Sequence, residues 1–83
     1  MNEQEATDLK QLLADLDRER RGALSYLAML DTADARVLEQ CGYRGKTNAE
    51  AMQDAFHRYQ RMVKKLTDAH VSKYPDTKKV TRE

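Results

Sequence analysis

ATDLKQLLADLDRERRGALSYLAML, residues 6–30, decides the fold of this chain. Leu9, Leu13, Leu16, Arg20, Ala23, Leu27 and Leu30 follow one another at alternating steps of four and three, the spacing that lines side chains along one seam of an α-helix. The first half of the stretch offers a narrow stripe of Leu9, Leu12, Leu13 and Leu16, with Lys10, Gln11, Asp15 and Asp17 left for solvent. The second half, GALSYLAML at residues 22–30, is apolar all round, which predicts burial on more than one side. Arg20 is the one charged member of the seam.

Working outward, Asn2 is a capping residue with Glu5 three positions on, so the helix is expected to start there, with Glu3, Glu5 and Asp8 near its positive end. Asp31 and Thr32 break the apolar pattern and are expected to cap a short second helix over residues 33–41, with Val37 and Leu38 facing inward. Gly42 suits its end, because glycine accepts the left-handed backbone that helix C-termini use. Tyr43 to Lys46 forms a loop. Thr47 followed by Glu50 matches the Ser/Thr-x-x-Glu capping pattern and opens a third helix. On that helix Met52, Phe56, Tyr59, Val63, Leu66 and His70 repeat the four-three spacing. Pro75 disfavours helix in the residue before it, so the helix is expected to finish near Tyr74. These boundaries give one helical domain over residues 1–74 and a polar, flexible tail over residues 75–83, PDTKKVTRE.

Composition supports the same fold class. Nine Leu, ten Ala and many Glu, Gln, Lys and Arg, with no Ile or Trp and one Phe, favour helix over strand. The chain is read as all-α: an antiparallel hairpin of two long helices with a short intervening helix, a three-helix bundle. That topology sets residues near 30 beside those near 48, and residues near 8 beside those near 70. It also predicts that Arg20 rests on Phe56 or Tyr59 and that His70 meets Asp8 or Leu9. At 83 residues, a single domain buries only roughly 60% of the surface of its unfolded chain, so its apolar resources are thin.

Several function classes are expected to be absent. The opening MNEQEATD is polar and acidic, unlike a secretory signal, and the longest nearly apolar run falls well short of the roughly 20 residues a membrane span needs. A single cysteine, Cys41, has no intrachain partner, which suits a reducing, cytoplasmic setting and a role as a small buried hydrophobe. Glu50, Asp54, His57 and Arg61 follow at helical spacing, and Asp54-x-x-His57 has the spacing of carboxylate–histidine pairs in di-iron bundles. The stripe lies off the apolar seam, so it reads as a solvated face and not as a metal site. Zinc spacing is lacking, and Gly45-Lys46-Thr47 is only the end of a phosphate loop without its first glycine or preceding strand. The chain is therefore expected to be no enzyme and to hold no cofactor or metal.

Two binding readings remain. The first is a small module for protein–protein interaction, an adaptor, inhibitor or regulator. Arg20, Arg21, Tyr26, Met29, Tyr43 and Met62 are its candidate contact residues, because Tyr, Met and Arg are enriched at interfaces and most of these lie off the main seams. Pairing two hairpins into a four-helix homodimer is the economical form of that reading. The second is nucleic-acid association through Arg58, Arg61, Lys64 and Lys65, with the RERR run at residues 18–21 as a further patch. Against it, the hairpin sets the acidic first residues beside the basic end of the third helix, where the charges serve each other and the helix dipoles.

Overall fold

The computed structural model describes residues 2–75, which form three helices: α1, Glu3–Thr32; α2, Ala35–Gln40; and α3, Asn48–Lys73. No strand occurs among the described residues. The chain is all-α, with α1 and α3 packed as an antiparallel hairpin in a rod of 51 × 21 × 18 Å and α2 across its closed end. The expected flexible tail, apart from Pro75, lies outside the described residues.

Local chemistry explains each boundary. The Glu5 amide donates to the Asn2 side chain at 2.7 Å, satisfying one of the amides that the first turn of α1 leaves without a helical partner. At α3 the Glu50 amide donates to the Thr47 hydroxyl at 3.1 Å and the Thr47 amide donates to the Glu50 carboxylate at 2.9 Å, the full reciprocal box. The second helix is shorter than residues 33–41 and is capped differently. Asp31 and Thr32 are the last residues of α1, and the Thr32 hydroxyl turns back to the Met29 carbonyl. Ala33 is extended, and the Asp34 carboxylate accepts from the Val37 amide at 2.9 Å. Asp34 outcompetes Thr32 because only it stands at the extended residue directly before the turn of α2.

The other end of α2 closes with two bonds around Gly42, whose φ is +87°. The Tyr43 amide donates to the Leu38 carbonyl at 2.8 Å and the Gly42 amide to the Glu39 carbonyl at 3.0 Å, a Schellman arrangement in which Leu38 and Tyr43 meet as the apolar pair. Gly45, with φ +74°, then completes a turn closed by the Lys46 amide on the Tyr43 carbonyl.

The hairpin register is as expected. At the closed end the Asn48 side-chain amide donates to the carbonyls of Leu30 at 2.7 Å and Ala33 at 2.6 Å, and the Leu30 carbonyl also accepts from the Ala33 amide at 3.3 Å. At the open end Lys73 and Tyr74 both reach Asp8. The core sits at the closed end alone: Leu30, Leu38, Tyr43, Ala51 and Ala55 are buried, with Leu27, Met29, Ala33, Cys41 and Met52 packed around them.

Three packing expectations are corrected. Phe56 is not a seam residue but 44% exposed, because α1 and α3 approach over the small Ala51 and Ala55 and the next position round the helix turns outward. Arg20 does not reach Phe56 or Tyr59. It is exposed and pairs with Asp17 at 2.9 Å, while Ala23 and Leu27 carry the seam past it. Nor is GALSYLAML buried on several sides, since Leu24 and Tyr26 are exposed and only Leu30 is fully enclosed.

Candidate interaction surfaces

The closed end gathers a polar cluster on one flank of the hairpin. The Tyr43 hydroxyl donates to the Asp54 carboxylate at 2.8 Å, Arg58 pairs with the same carboxylate at 3.0 Å, and the Arg58 guanidinium lies 5.9 Å from the centre of the Tyr43 ring. Arg58 thus takes the aromatic-stacking role expected of Arg20. Burial, and then the bond to Asp54, pushes the Tyr43 phenol up to about 12. Tyr26 joins the edge of this cluster. Burial raises its phenol, and the neighbouring Cys41 thiol raises it further.

Of the six interface candidates, Tyr26 and Met62 meet across a shallow groove of about 230 Å³ that also contains Glu19 and Arg58. Tyr43 is 5% exposed and belongs to the core. Sequence spacing placed it in a loop, but the Schellman turn swings its ring inward over Leu38. Met29 is likewise half-buried against the core, filling space beside α2. Arg20 and Arg21 are exposed, and both pair with Asp17 at 2.9 Å.

The four basic candidates of α3 are all exposed, but two are already engaged: Arg58 as above, and Lys64 with Asp68 at 2.6 Å. Among the described residues Arg61 and Lys65 take part in no ion pair. His57 is exposed beside a polar cleft of about 450 Å³ that contains Lys46, Glu50 and Asp54. Asp54 is occupied by Tyr43 and Arg58. Among the described residues no three His, Cys, Asp or Glu side chains gather as a metal-binding group.

At the open end of the same flank, Lys73 donates to the Asp8 carboxylate at 2.6 Å, Tyr74 donates through its hydroxyl, and Gln4 adds a third bond at 2.9 Å. The Lys73 bond first, then Tyr74, brings Asp8 down to about 2. The His70 ring lies 5.0 Å from the Tyr74 ring, tilted by 46°, and shares a shallow groove with Asp8, so the two residues are near each other without a direct hydrogen bond between them.

The opposite flank is different in kind. Its direction follows from helix geometry: the groove residues Asp8, Asp15, Glu19 and Tyr26 of α1 meet Arg58, Met62 and Lys73 of α3 on one side. Leu13 and Leu24 of α1 and Phe56 of α3 project from the other. Leu13 is 57% and Leu24 55% exposed, and with Phe56 they are the most exposed large apolar side chains among the described residues. Leu9 and Val63 are half-buried toward the same flank, while Leu27 and Met52 turn further in and pack against the core. Cys41 and Tyr43 pack by Tyr26, Asp54 and Arg58, so the end of α2 and its loop lie against the polar side.

Sequence reasoning missed this apolar flank because it assigned Leu13 and Phe56 to the internal seam. The signal that could have found it is residue size. Ala51 and Ala55, one turn apart, allow the close approach that displaces the larger Phe56. Asn48 was missed as well, hidden behind the stronger capping signature of Thr47.

No described helix is long and apolar enough to cross a membrane. Comparison of the chain with protein-family models, curated proteins and solved structures finds no significant match.

Proposed function

We propose that this protein is a small, non-enzymatic interaction module, an adaptor, inhibitor or regulator of cytoplasmic proteins, that works by burying its apolar flank against another protein surface, a second copy included. The observation that carries this reading is the exposure of Leu13, Leu24 and Phe56 on one side of a two-helix rod. Large apolar side chains gathered on one face of a rod supply the kind of surface that association buries. Tyr26, Met62, Arg20 and Arg21 are the earlier candidates that remain accessible at its margins and on the neighbouring groove. Tyr43 and Met29 act instead by holding the closed end together.

The alternative, a nucleic-acid-associated regulator acting through Arg58, Arg61, Lys64 and Lys65, draws support from Arg61 and Lys65 alone. Asp54 and Asp68 already neutralise the other two. An affinity pull-down from cell extract, with and without nuclease, separates the readings. Capture of a defined protein that survives nuclease and is lost on Leu24→Glu supports the interaction module. Retention abolished by nuclease, and by replacing the four basic residues, supports the alternative.

A further inference from the structure

The apolar flank carries a second pattern. Along α1 it reads Leu13, Asp17, Arg20, Leu24 at steps of four, three and four, so the order is apolar, acidic, basic, apolar. Run backwards, the stripe is its own complement. In the single chain Arg20 pairs with Asp17 at 2.9 Å, as Arg21 does with its other oxygen, and both leucines are more than half exposed.

The geometry points to a second copy of this chain as the occupant of that flank: two α1 helices pack antiparallel about a two-fold axis between Arg18 and Glu19, with Leu13 of each copy against Leu24 of the other and Asp17 of each against Arg20 of the other. This rests on the reading of the protein as an interaction module and names its partner.

A two-fold interface is isologous, so a surface that pairs with itself must match position i with position j and j with i. The stripe meets that condition in one register. Parallel pairing would set Asp17 on Asp17 and Arg20 on Arg20, with like charges in contact. Sliding the antiparallel pair by a heptad would set a leucine over a charge. Central charges in an apolar stripe cost stability and select register, as polar residues do in coiled coils.

At about 1.5 Å per residue the stripe from Leu13 to Leu24 runs roughly 16 Å along α1, and the rod continues beyond it at both ends. Because Asn48 meets the end of α1, Phe56 lies level with Leu24 and extends the same face on α3. Two copies therefore form a four-helix bundle and supply the enclosed core that the open half of the hairpin lacks.

The test is sedimentation equilibrium of the full chain at micromolar concentration, with circular dichroism to confirm that every variant remains helical. The wild type is expected to sediment as a dimer. Leu24→Glu, Asp17→Arg and Arg20→Asp should each weaken association by about tenfold or more, since the reversals bring like charges together across the axis. An equimolar mixture of the two reversal variants, or the double variant Asp17→Arg/Arg20→Asp, should restore it. In a Cys41→Ala background, a Leu13→Cys chain oxidised with a Leu24→Cys chain should give the mixed disulfide, and the Leu13→Cys chain alone should not cross-link. A monomer throughout overturns the proposal and leaves an interaction module for a different protein standing. A dimer indifferent to all four positions, or a disulfide between two Leu13→Cys chains, overturns this surface while self-association stands.

Discussion

The two ends of the hairpin are held by different forces. At the closed end five buried residues, a Schellman turn, a capping box and the two bonds of Asn48 converge on the start of α3. At the open end no described side chain is fully buried, and the strongest link between the helices is Asp8 with Lys73 and Tyr74. Apolar burial is short-ranged and insensitive to pH, whereas an exposed carboxylate–ammonium pair is weak, screened and tied to its titration. The closed end is therefore the cooperative nucleus of the domain. The open end can fray without unfolding it, the behaviour expected of the less buried part of a small protein.

The largest expected effect tests that asymmetry directly. Leu30 is wholly buried at the meeting of all three helices, and Leu30→Ala should cost about 3 kcal/mol. For a domain this small that is a large share of total stability, so urea denaturation followed by circular dichroism should show a midpoint far below wild type. Leu13→Ala, at an exposed position, should barely move the midpoint of the monomer. Equal losses would break the comparison. Next comes Asn48→Ala, which removes two hydrogen bonds to carbonyls at the end of α1 and should cost about 2 kcal/mol. Amide exchange should then accelerate around residues 30–34 before it does so at the middle of α3.

Much of this division was legible in the letters, for a physical reason. Caps are local: Asn2 with Glu5, and Thr47 with Glu50, act within one helical turn, so a few residues specify them. The antiparallel register followed from two matching seams and a short connection. Which face of each seam becomes core depends on how closely the backbones approach, and that is a property of the pair. Four-three spacing treats Phe56 and Ala55 as near equivalents by hydrophobicity, and the structure separates them by size. Tyr43 illustrates the same limit. Its burial depends on the left-handed Gly42 turning the chain back over Leu38, which the glycine announced but the destination of the ring did not. Of the six interface candidates Tyr26, Met62, Arg20 and Arg21 are accessible and Tyr43 and Met29 pack against the core, while the exposure of Leu13, Leu24 and Phe56 emerged only once the packing face was known.

A smaller effect separates the ends by pH. Tyr43→Phe removes the bond to Asp54 and should cost about 1 kcal/mol at neutral pH. The folded-state phenol is raised from 10.0 to about 12, so its contribution is fully present below the unfolded value and is lost as pH rises through the folded one. Wild-type stability should consequently fall between those two values, and Tyr43→Phe should flatten that alkaline limb in urea midpoints measured across the range.

The smallest effect lies at the open end and has the opposite sign. Asp8 is lowered from 3.8 to about 2 by its bonds to Lys73 and Tyr74. Its contribution is present above the unfolded value and is lost as pH falls through the folded one. Asp8→Asn should therefore leave the urea midpoint at neutral pH almost unchanged, because Lys73 is exposed and its pair with Asp8 is screened. It should still remove part of the acid dependence of the wild type. The sharper reading is local. Amide exchange near Asp8 and Val71 should quicken in Asp8→Asn at neutral pH and in wild type at high salt, while exchange at Leu30 and Ala51 stays fixed. If the closed end quickened equally, the two ends would be one cooperative unit and the electrostatic clamp would contribute to the whole fold.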